Sequence, residues 1–195
     1  MFKPHTTVVI LGVLATSFTL TGCSMNGMDM GGGSSSGSPS ASADNFNNAD
    51  VTFAMEMSAH HQQAIEMAQL VLDKSGIDPK VTTLAQDIKA AQDPEIQQMK
   101  SWLAGWGQKT DAMSGMDHSG MLMPASDMTA LEEAAGLDAS KLFLTQMTAH
   151  HTSAIEMAKT EVDKGKNADA VALAKRIIDA QTAEISKMSD ILAKL

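Results

Sequence analysis

The chain has 195 residues, of which 44% are hydrophobic, so it is long enough for one domain with a substantial core. It carries 23 acidic against 14 basic residues, a formal net charge of −9, and no basic patch, which excludes nucleic acid as an expected partner. With a single cysteine the chain has no internal disulfide, so any metal would be held by His, Met, Asp or Glu.

Residues 1–22 have the pattern of a lipoprotein signal peptide. Lys3 precedes a short apolar run, which falls short of the roughly 20 residues that a membrane span needs. The run ends in Leu-Thr-Gly-Cys, which is typical of a bacterial lipobox with cleavage before Cys23 and lipid attachment to its sulfur. An ordinary signal peptide beside an incidental cysteine is the alternative. We therefore predict an exported protein, anchored through lipid on Cys23 to the outer face of a bacterial cell membrane.

Residues 23–46 form a flexible tether of Gly, Ser, Met and small polar residues. The folded domain should occupy residues 47–195, where long helical patterns follow one another without strand-like alternation. The first helix is predicted over residues 50–74. The second opens with Asp78 as its N-cap, and Pro94 should either kink it or restart it behind Asp93.

A Met- and His-rich linker, residues 108–125, separates this hairpin from a second one. A short helix should follow Asp127 and end at Gly136. The third long helix is predicted to start behind Asp138 and to end at Lys164, and the fourth to fill residues 169–195.

The two hairpins are copies of one sequence pattern. Repeat 1, about residues 50–107, and repeat 2, about residues 138–195, predict an all-α four-helix bundle with approximate two-fold symmetry. Two motifs occur in both repeats. The first is Phe53-x3-Met57-x-Ala59-His60-His61-x2-Ala64-Ile65-Glu66-Met67-Ala68 in repeat 1 and Phe143-x3-Met147-x-Ala149-His150-His151-x2-Ala154-Ile155-Glu156-Met157-Ala158 in repeat 2. The second is Ala85-x2-Ile88-x2-Ala91-Gln92-x2-Glu95-Ile96-x2-Met99 in repeat 1 and Ala174-x2-Ile177-x2-Ala180-Gln181-x2-Glu184-Ile185-x2-Met188 in repeat 2.

Polar residues recur inside the apolar faces of these helices. At 100° per residue His60 lies in the apolar stripe of the first helix, His61 at its edge and Glu66 on the solvent side. Glu95 and Glu184 fall in the centre of the apolar faces of the second and fourth helices, where a carboxylate needs a partner. A buried His–Glu core network and a shared metal both meet that need. The candidate metal ligands of the bundle are Met57, His60, His61, Glu95, Met147, His150, His151 and Glu184.

The linker carries a second set of candidate ligands. A flexible Gly/Ser segment has no core to fill, so packing does not explain its methionines. Thioether sulfur is a soft ligand that suits Cu(I), and also Ag(I), in an oxidising compartment. A solvated linker with chance methionine enrichment, and a sink for oxidants, are the alternatives. These candidates are Met113, Met116, His118, Met121 and Met123.

The repeated His-His-x2-Ala-Ile-Glu-Met-Ala motif, with its preceding Phe-x3-Met, resembles domain-of-unknown-function family 305 over nearly all of residues 47–195. The resemblance implies a ferritin-like bundle, export, and copper binding through Met57, His60, His61, Met147, His150 and His151. A di-iron oxidase is disfavoured, because such sites need paired Glu-x2-His motifs and about four carboxylates.

Three functions remain open at this point. The first is a lipid-anchored copper protein that buffers, delivers or detoxifies Cu(I), with a copper donor or acceptor protein as its partner. The second is a His/Glu metalloenzyme using another transition metal, for which the sequence names no reaction. The third is a structural or interaction bundle whose His–Glu network holds no metal. We prefer the first, because soft Met ligands accompany the histidines.

Overall fold

The computed structural model describes residues 45–108 and 122–195. Within these ranges the chain forms five α-helices and no β-strand, which confirms the predicted all-α fold. None of the helices in these ranges is long and apolar enough to span a bilayer. The helices are α1 (Asn48–Leu72), α2 (Pro79–Gly105), α3 (Ala125–Glu133), α4 (Gly136–Lys164) and α5 (Ala168–Leu192).

The four long helices form two hairpins that meet through their first helices. α1 packs along α2, α4 packs along α5, and α1 packs against α4, whereas α2 and α5 touch only marginally. The short α3 rests on α1 and α4. Residues carried by α1 and α4 therefore occupy the centre of the bundle.

The core divides into two clusters of buried residues. α1 contributes its second half to one cluster and its first half to the other, and α4 contributes in the reverse order. The two helices are therefore antiparallel, and the histidine pairs lie at the level between the clusters. The α3 cluster contains Ala64, Met67, Ala68, Val71, Val81, Leu84, Ala85, Ile88, Leu131, Phe143, Leu144, Met147, Met188 and Ile191; the tryptophan cluster, against which Trp102 and Trp106 pack, contains Phe53, Ala54, Met55, Met57, Met99, Leu103, Ala154, Ala158, Ala170, Leu173, Ala174 and Ile177.

Side-chain caps fix where three of the long helices start. Asn47 and Asp50 form a reciprocal capping box on α1. Asp78 caps α2 by accepting from the Lys80 N–H, as predicted, and Asn167 caps α5. The cap predicted at Asp138 is wrong: α4 begins at Gly136, and Asp138 lies in its first turn without capping it. Its start is set by the turn from α3, where Gly136 has a φ of 54°.

The predicted restart of the second helix at Pro94 is also wrong, because α2 runs unbroken through this residue. Proline cannot donate the hydrogen bond that would reach the Ala90 carbonyl. Both residues are exposed, so water can satisfy that carbonyl. Asp93 is correspondingly an exposed residue within the helix rather than a cap.

Each hairpin binds the turn of the other through a residue near the start of its first helix. On α4 the Ser140 hydroxyl accepts from the Asp78 N–H at 3.1 Å, in the turn between α1 and α2. At the equivalent place on α1, the Asp50 carboxylate accepts from the Lys166 and Asn167 N–H groups at 3.0 and 2.8 Å. The sequence duplication is thus repeated in the contacts that join the hairpins.

The Asp50 end differs from the Ser140 end because it carries a second buried carboxyl group, Glu161, which is 1% exposed. Burial, followed by the proximity of the Asp50 carboxylate, raises the pKa of Glu161 to about 8. Neither carboxyl oxygen of Glu161 has a hydrogen-bond partner, so nothing beside it compensates a buried negative charge. Gly165 permits this arrangement, since a Cβ there would collide with the Glu161 carboxyl group.

Candidate metal centre

Four buried histidines form a layer at the middle of the bundle. His60 and His61 lie on α1, His150 and His151 on α4, and each is at most 3% exposed. The rings of His60 and His150 stack with their centroids 3.6 Å apart and their planes tilted by 32°. Because these two residues are equivalent in the repeats, the approximate two-fold axis of the bundle passes between them.

The second histidine of each pair is held by a carboxylate of its own hairpin. His61 Nε2 lies 2.8 Å from Glu95 Oε2, and His151 Nε2 lies 2.7 Å from Glu184 Oε2. A carboxylate can only accept, so Nε2 of each ring carries the hydrogen. In the neutral form of each ring the lone pair is therefore on Nδ1, which is buried and has no hydrogen-bond partner.

Gln63 fixes His150 in the same tautomer. The Gln63 side chain donates to the Met123 carbonyl at 3.0 Å and accepts from the Met123 N–H at 2.7 Å, which settles the orientation of its amide. Its oxygen also lies 3.2 Å from His150 Nε2. His150 Nε2 is therefore the donor, and its buried Nδ1 keeps a lone pair with no partner.

His60 is the least satisfied of the four, because neither of its ring nitrogens has a hydrogen-bond partner. Burial, followed by the electrostatic effect of His61 and His151, lowers the pKa of His60 to about 3. Burial, followed by the effect of His60, also lowers the pKa of His150. Both rings are thus neutral at physiological pH, which is the form that binds a metal.

The layer has the composition of a site for a soft metal ion. Leaving buried ring nitrogens without partners costs about 1–3 kcal/mol each, which a ligand would recover. Metal-binding histidines characteristically donate their other ring N–H to a carboxylate or amide oxygen, as His61, His150 and His151 do here. Met57 and Met147 are fully buried on opposite sides of the layer, one in each core cluster.

Within residues 45–108 and 122–195, no three His, Cys, Asp or Glu side chains converge into a preformed metal site. The structure does bring the four histidine candidates of the two repeats together in one central layer, with Met57 and Met147 in the core clusters on either side of it. Cys23, Met113, Met116, His118 and Met121 lie outside the described residues, whereas Met123 is described and contacts Gln63.

Two details differ from the sequence analysis. His61 is fully buried rather than at the edge of the apolar stripe, because α2 covers it. Glu95 and Glu184 are not central: they are 24% and 21% exposed and meet the histidines at the rim of the core. In α2 the buried row passes instead through Gln92 and Ile96.

Gln63 is a site residue that the sequence analysis missed. Its counterpart in the second repeat is Ser153, so the duplication gave no signal for it. Its position three residues after His60, on the same side of α1, was the available clue.

The fold and site thus define a duplicated helical bundle with a buried layer of four histidines. The sequence profile of the family described as "Domain of unknown function (DUF305)" matches residues 50–192, and the chain belongs to this family. None of the curated proteins is detectably similar to the chain.

Solved structures of the same family share the fold. A DUF305 protein from Streptomyces coelicolor, named as a secreted protein, is 34% identical, with a TM-score of 0.68 over 75% of this chain and 93% of its own. A DUF305 fragment from Deinococcus radiodurans is 28% identical, with a TM-score of 0.69 over 76% and 98%.

CopM is a third similar structure, and it has been solved with metals. Its Cu(II)-bound form is 32% identical, with a TM-score of 0.65 over 74% of this chain and 96% of CopM. CopM has also been solved in Cu(I)-bound, Ag-bound and apo forms. These metals are properties of CopM, and they make a copper-binding role for the family a concrete hypothesis.

Proposed function

We propose that the chain is an exported copper-binding protein that takes up Cu(I) as cargo in its histidine layer and in its Met/His-rich linker. In this proposal His60, His61, His150 and His151 supply imidazole nitrogens, and Met57 and Met147 supply thioether sulfurs. Glu95 and Glu184 hold the rings from outside. The linker ligands are Met113, Met116, His118, Met121 and Met123.

The observation that carries the proposal is the set of buried imidazole nitrogens without hydrogen-bond partners. A purely structural network would pair these groups, because an unpaired polar atom in the core destabilises the fold. Three of the four rings direct Nε2 at an oxygen acceptor and have a buried Nδ1 without a partner. A neutral ring in this arrangement can bind a metal through Nδ1 without first losing a proton.

The ligand types favour Cu(I) over a harder ion. Glu95 and Glu184 already accept hydrogen bonds from histidines, which leaves the buried ligand set to nitrogen and sulfur. Soft thioethers with imidazoles select Cu(I), and the same set accepts Ag(I). CopM, which is similar in sequence and fold, has been solved with both metals.

We further propose that lipid on Cys23 anchors the protein outside the cytoplasm. The Leu-Thr-Gly-Cys sequence supports the anchor, and the similarity to a protein named as secreted supports export. By binding Cu(I) there, the protein would buffer copper, deliver it to an acceptor protein or detoxify it. The ligands need no thiol, so oxidation to disulfides would not disable the site.

An anaerobic competition titration against a chromophoric Cu(I) chelator tests the binding claim. All proteins would carry Cys23→Ser, so that no thiol competes. The double variant His60→Leu/His150→Leu should lose the tight bundle site while the linker still binds. Met67→Leu, a fully buried methionine deep in the α3 cluster, is the matched control and should titrate like the parent protein. If the parent protein, the double variant and Met67→Leu bound the same number of Cu(I) ions, the histidine layer would have only a structural role.

A further inference from the structure

A small cavity opens beside the histidine layer at the end of the linker. It has a volume of about 250 Å³, and Met123, Asp127, His150 and Ser153 are among its lining residues. The cavity opens next to α3, and His150, which lines it, is 3% exposed, whereas His60, His61 and His151 are fully buried. His150 is thus the member of the layer that a solute can approach from outside.

Gln63 forms hydrogen bonds to two residues that line this cavity, Met123 and His150. The Gln63 side-chain oxygen accepts from the Met123 backbone N–H at 2.7 Å and from His150 Nε2 at 3.2 Å. The Gln63 side-chain NH₂ donates to the Met123 backbone carbonyl at 3.0 Å. A single amide therefore docks residue 123 onto α1 and also sets the tautomer of His150. Displacing residue 123 would loosen the ring, and rotating the ring would loosen residue 123.

The second repeat does not have a glutamine at the position equivalent to Gln63. The counterpart of Gln63 is Ser153, whose shorter side chain lines the cavity, and His60 has no acceptor at either ring nitrogen. Within residues 45–108 and 122–195, the methionine that lines this cavity is Met123, which precedes the second repeat. The asymmetry marks one route into an otherwise symmetric layer.

We propose that this cavity is the entry site for a soft monovalent cation, with the Met123 thioether as its first ligand, the buried Nδ1 of His150 as the next, and Gln63 as the residue that positions both. This inference rests on the proposed function, because an entry site needs a binding layer behind it. The ion passes from Met123 at the surface to the buried lone pairs of the layer. Gln63 keeps His150 in the tautomer whose free lone pair is on Nδ1.

The test compares uptake rate with equilibrium affinity, using Ag(I) and Cu(I) delivered from a weak chelator to the full chain carrying Cys23→Ser. Met123→Leu should slow uptake by about tenfold, with little change in the affinity of the layer. Met128→Leu, another partly buried methionine that packs on the α3 cluster, is the control and should keep the parent rate. Equal rates in both variants would overturn the entry site.

A second readout needs no metal. Nitrogen NMR of the His150 ring in the metal-free protein should show hydrogen on Nε2, and Gln63→Leu should produce a mixture of tautomers and faster amide exchange at residue 123. Gln63→Glu, which keeps an acceptor for the ring, should restore the Nε2–H form. Gln62→Leu is the control, since Gln62 is exposed and bonds only to Glu66 on its own helix. An unchanged His150 tautomer in Gln63→Leu would overturn the positioning role.

The two proposals fail in different ways. If the parent protein binds neither ion in the layer, both the proposed function and the entry site are rejected. If the layer binds tightly but the Met123 and Gln63 variants take up metal like the parent, only the entry site is rejected.

Discussion

At the scale of single residues, His60 shows what the buried layer demands of the fold. Its two ring nitrogens have no partner, and the ring is fully buried against His150. Leucine has a similar volume and no polar atom, so it removes this penalty without opening a large cavity. The residue is thus expected to be unfavourable for the metal-free fold and retained for a ligand.

We therefore predict that His60→Leu leaves the metal-free protein as stable as the parent, or more stable by roughly 1 kcal/mol. Its advantage should grow as the pH falls below about 6.5. The unfolded parent takes up a proton there, whereas the folded ring, with its pKa lowered to about 3, does not. Urea unfolding between pH 5 and 7 measures this, with His61→Leu as the comparison, because that change leaves Glu95 unpaired. A loss of stability in His60→Leu as large as in His61→Leu would contradict the prediction.

Glu161 makes the free energy of unfolding fall as the pH rises, which is opposite to the effect of His60. Its pKa is raised from 4.5 to about 8, so between these values the folded state holds a proton that the unfolded state has lost. The contribution is fully present below pH 4.5 and is lost as the pH rises towards 8, by at most about 1.4 kcal/mol per pH unit.

Glu161→Gln should flatten this fall in stability between about pH 5 and 8, because a neutral amide replaces the protonated carboxyl group beside Asp50. Thermal melts across that range would measure the change. Glu156→Gln, on the exposed side of the same helix, should keep the pH profile of the parent. An unaltered profile in Glu161→Gln would show that Glu161 is ionised in the folded protein.

At the scale of elements, the duplication provides its own controls. Pro94 lies within α2, and its counterpart in α5 is Ala183; both positions are exposed. The Ala90 carbonyl lacks its helical donor, whereas the equivalent carbonyl of Asp179 can accept from the Ala183 N–H.

Pro94→Ala should therefore raise the free energy of unfolding by about 1–3 kcal/mol, and Ala183→Pro should lower it by about 3 kcal/mol. Chemical denaturation of the two single variants and of the double variant would measure both effects. If Pro94→Ala lowered the free energy of unfolding, as Ala183→Pro is expected to do, the prediction would be contradicted and Pro94 would stabilise α2.

The helices themselves were predictable because periodicity and caps are local. The apolar stripe of α1, the Asp78 cap and the end at Lys164 all follow from residues a few positions apart. The start of α4 was not, because Gly136 lies in a turn that packs against Gly76 of the other hairpin. Likewise, the exposure of Glu95 depends on how α2 rotates against α1, and no local pattern fixes that rotation.

At the scale of the whole molecule, the duplication predicts the bundle and the central position of the histidines. Two like hairpins that pack through their first helices place equivalent residues on the symmetry axis, which is where His60 meets His150. The features that break the two-fold symmetry could not be predicted from the repeated sequence. Gln63 and the Asp50–Glu161 pair each join segments more than 80 residues apart and have no copy in the other repeat.

The central claim is that the histidine layer binds Cu(I) through both imidazole nitrogen and thioether sulfur. The most direct test is X-ray absorption at the copper edge, on protein loaded with one equivalent of Cu(I). The protein would carry Cys23→Ser and leucines in place of Met113, Met116, His118, Met121 and Met123, so that no proposed linker ligand competes with the bundle. The account predicts nitrogen and sulfur neighbours together, with the nitrogen signal lost in His60→Leu/His150→Leu. Retention of the same copper environment after that double change would contradict it.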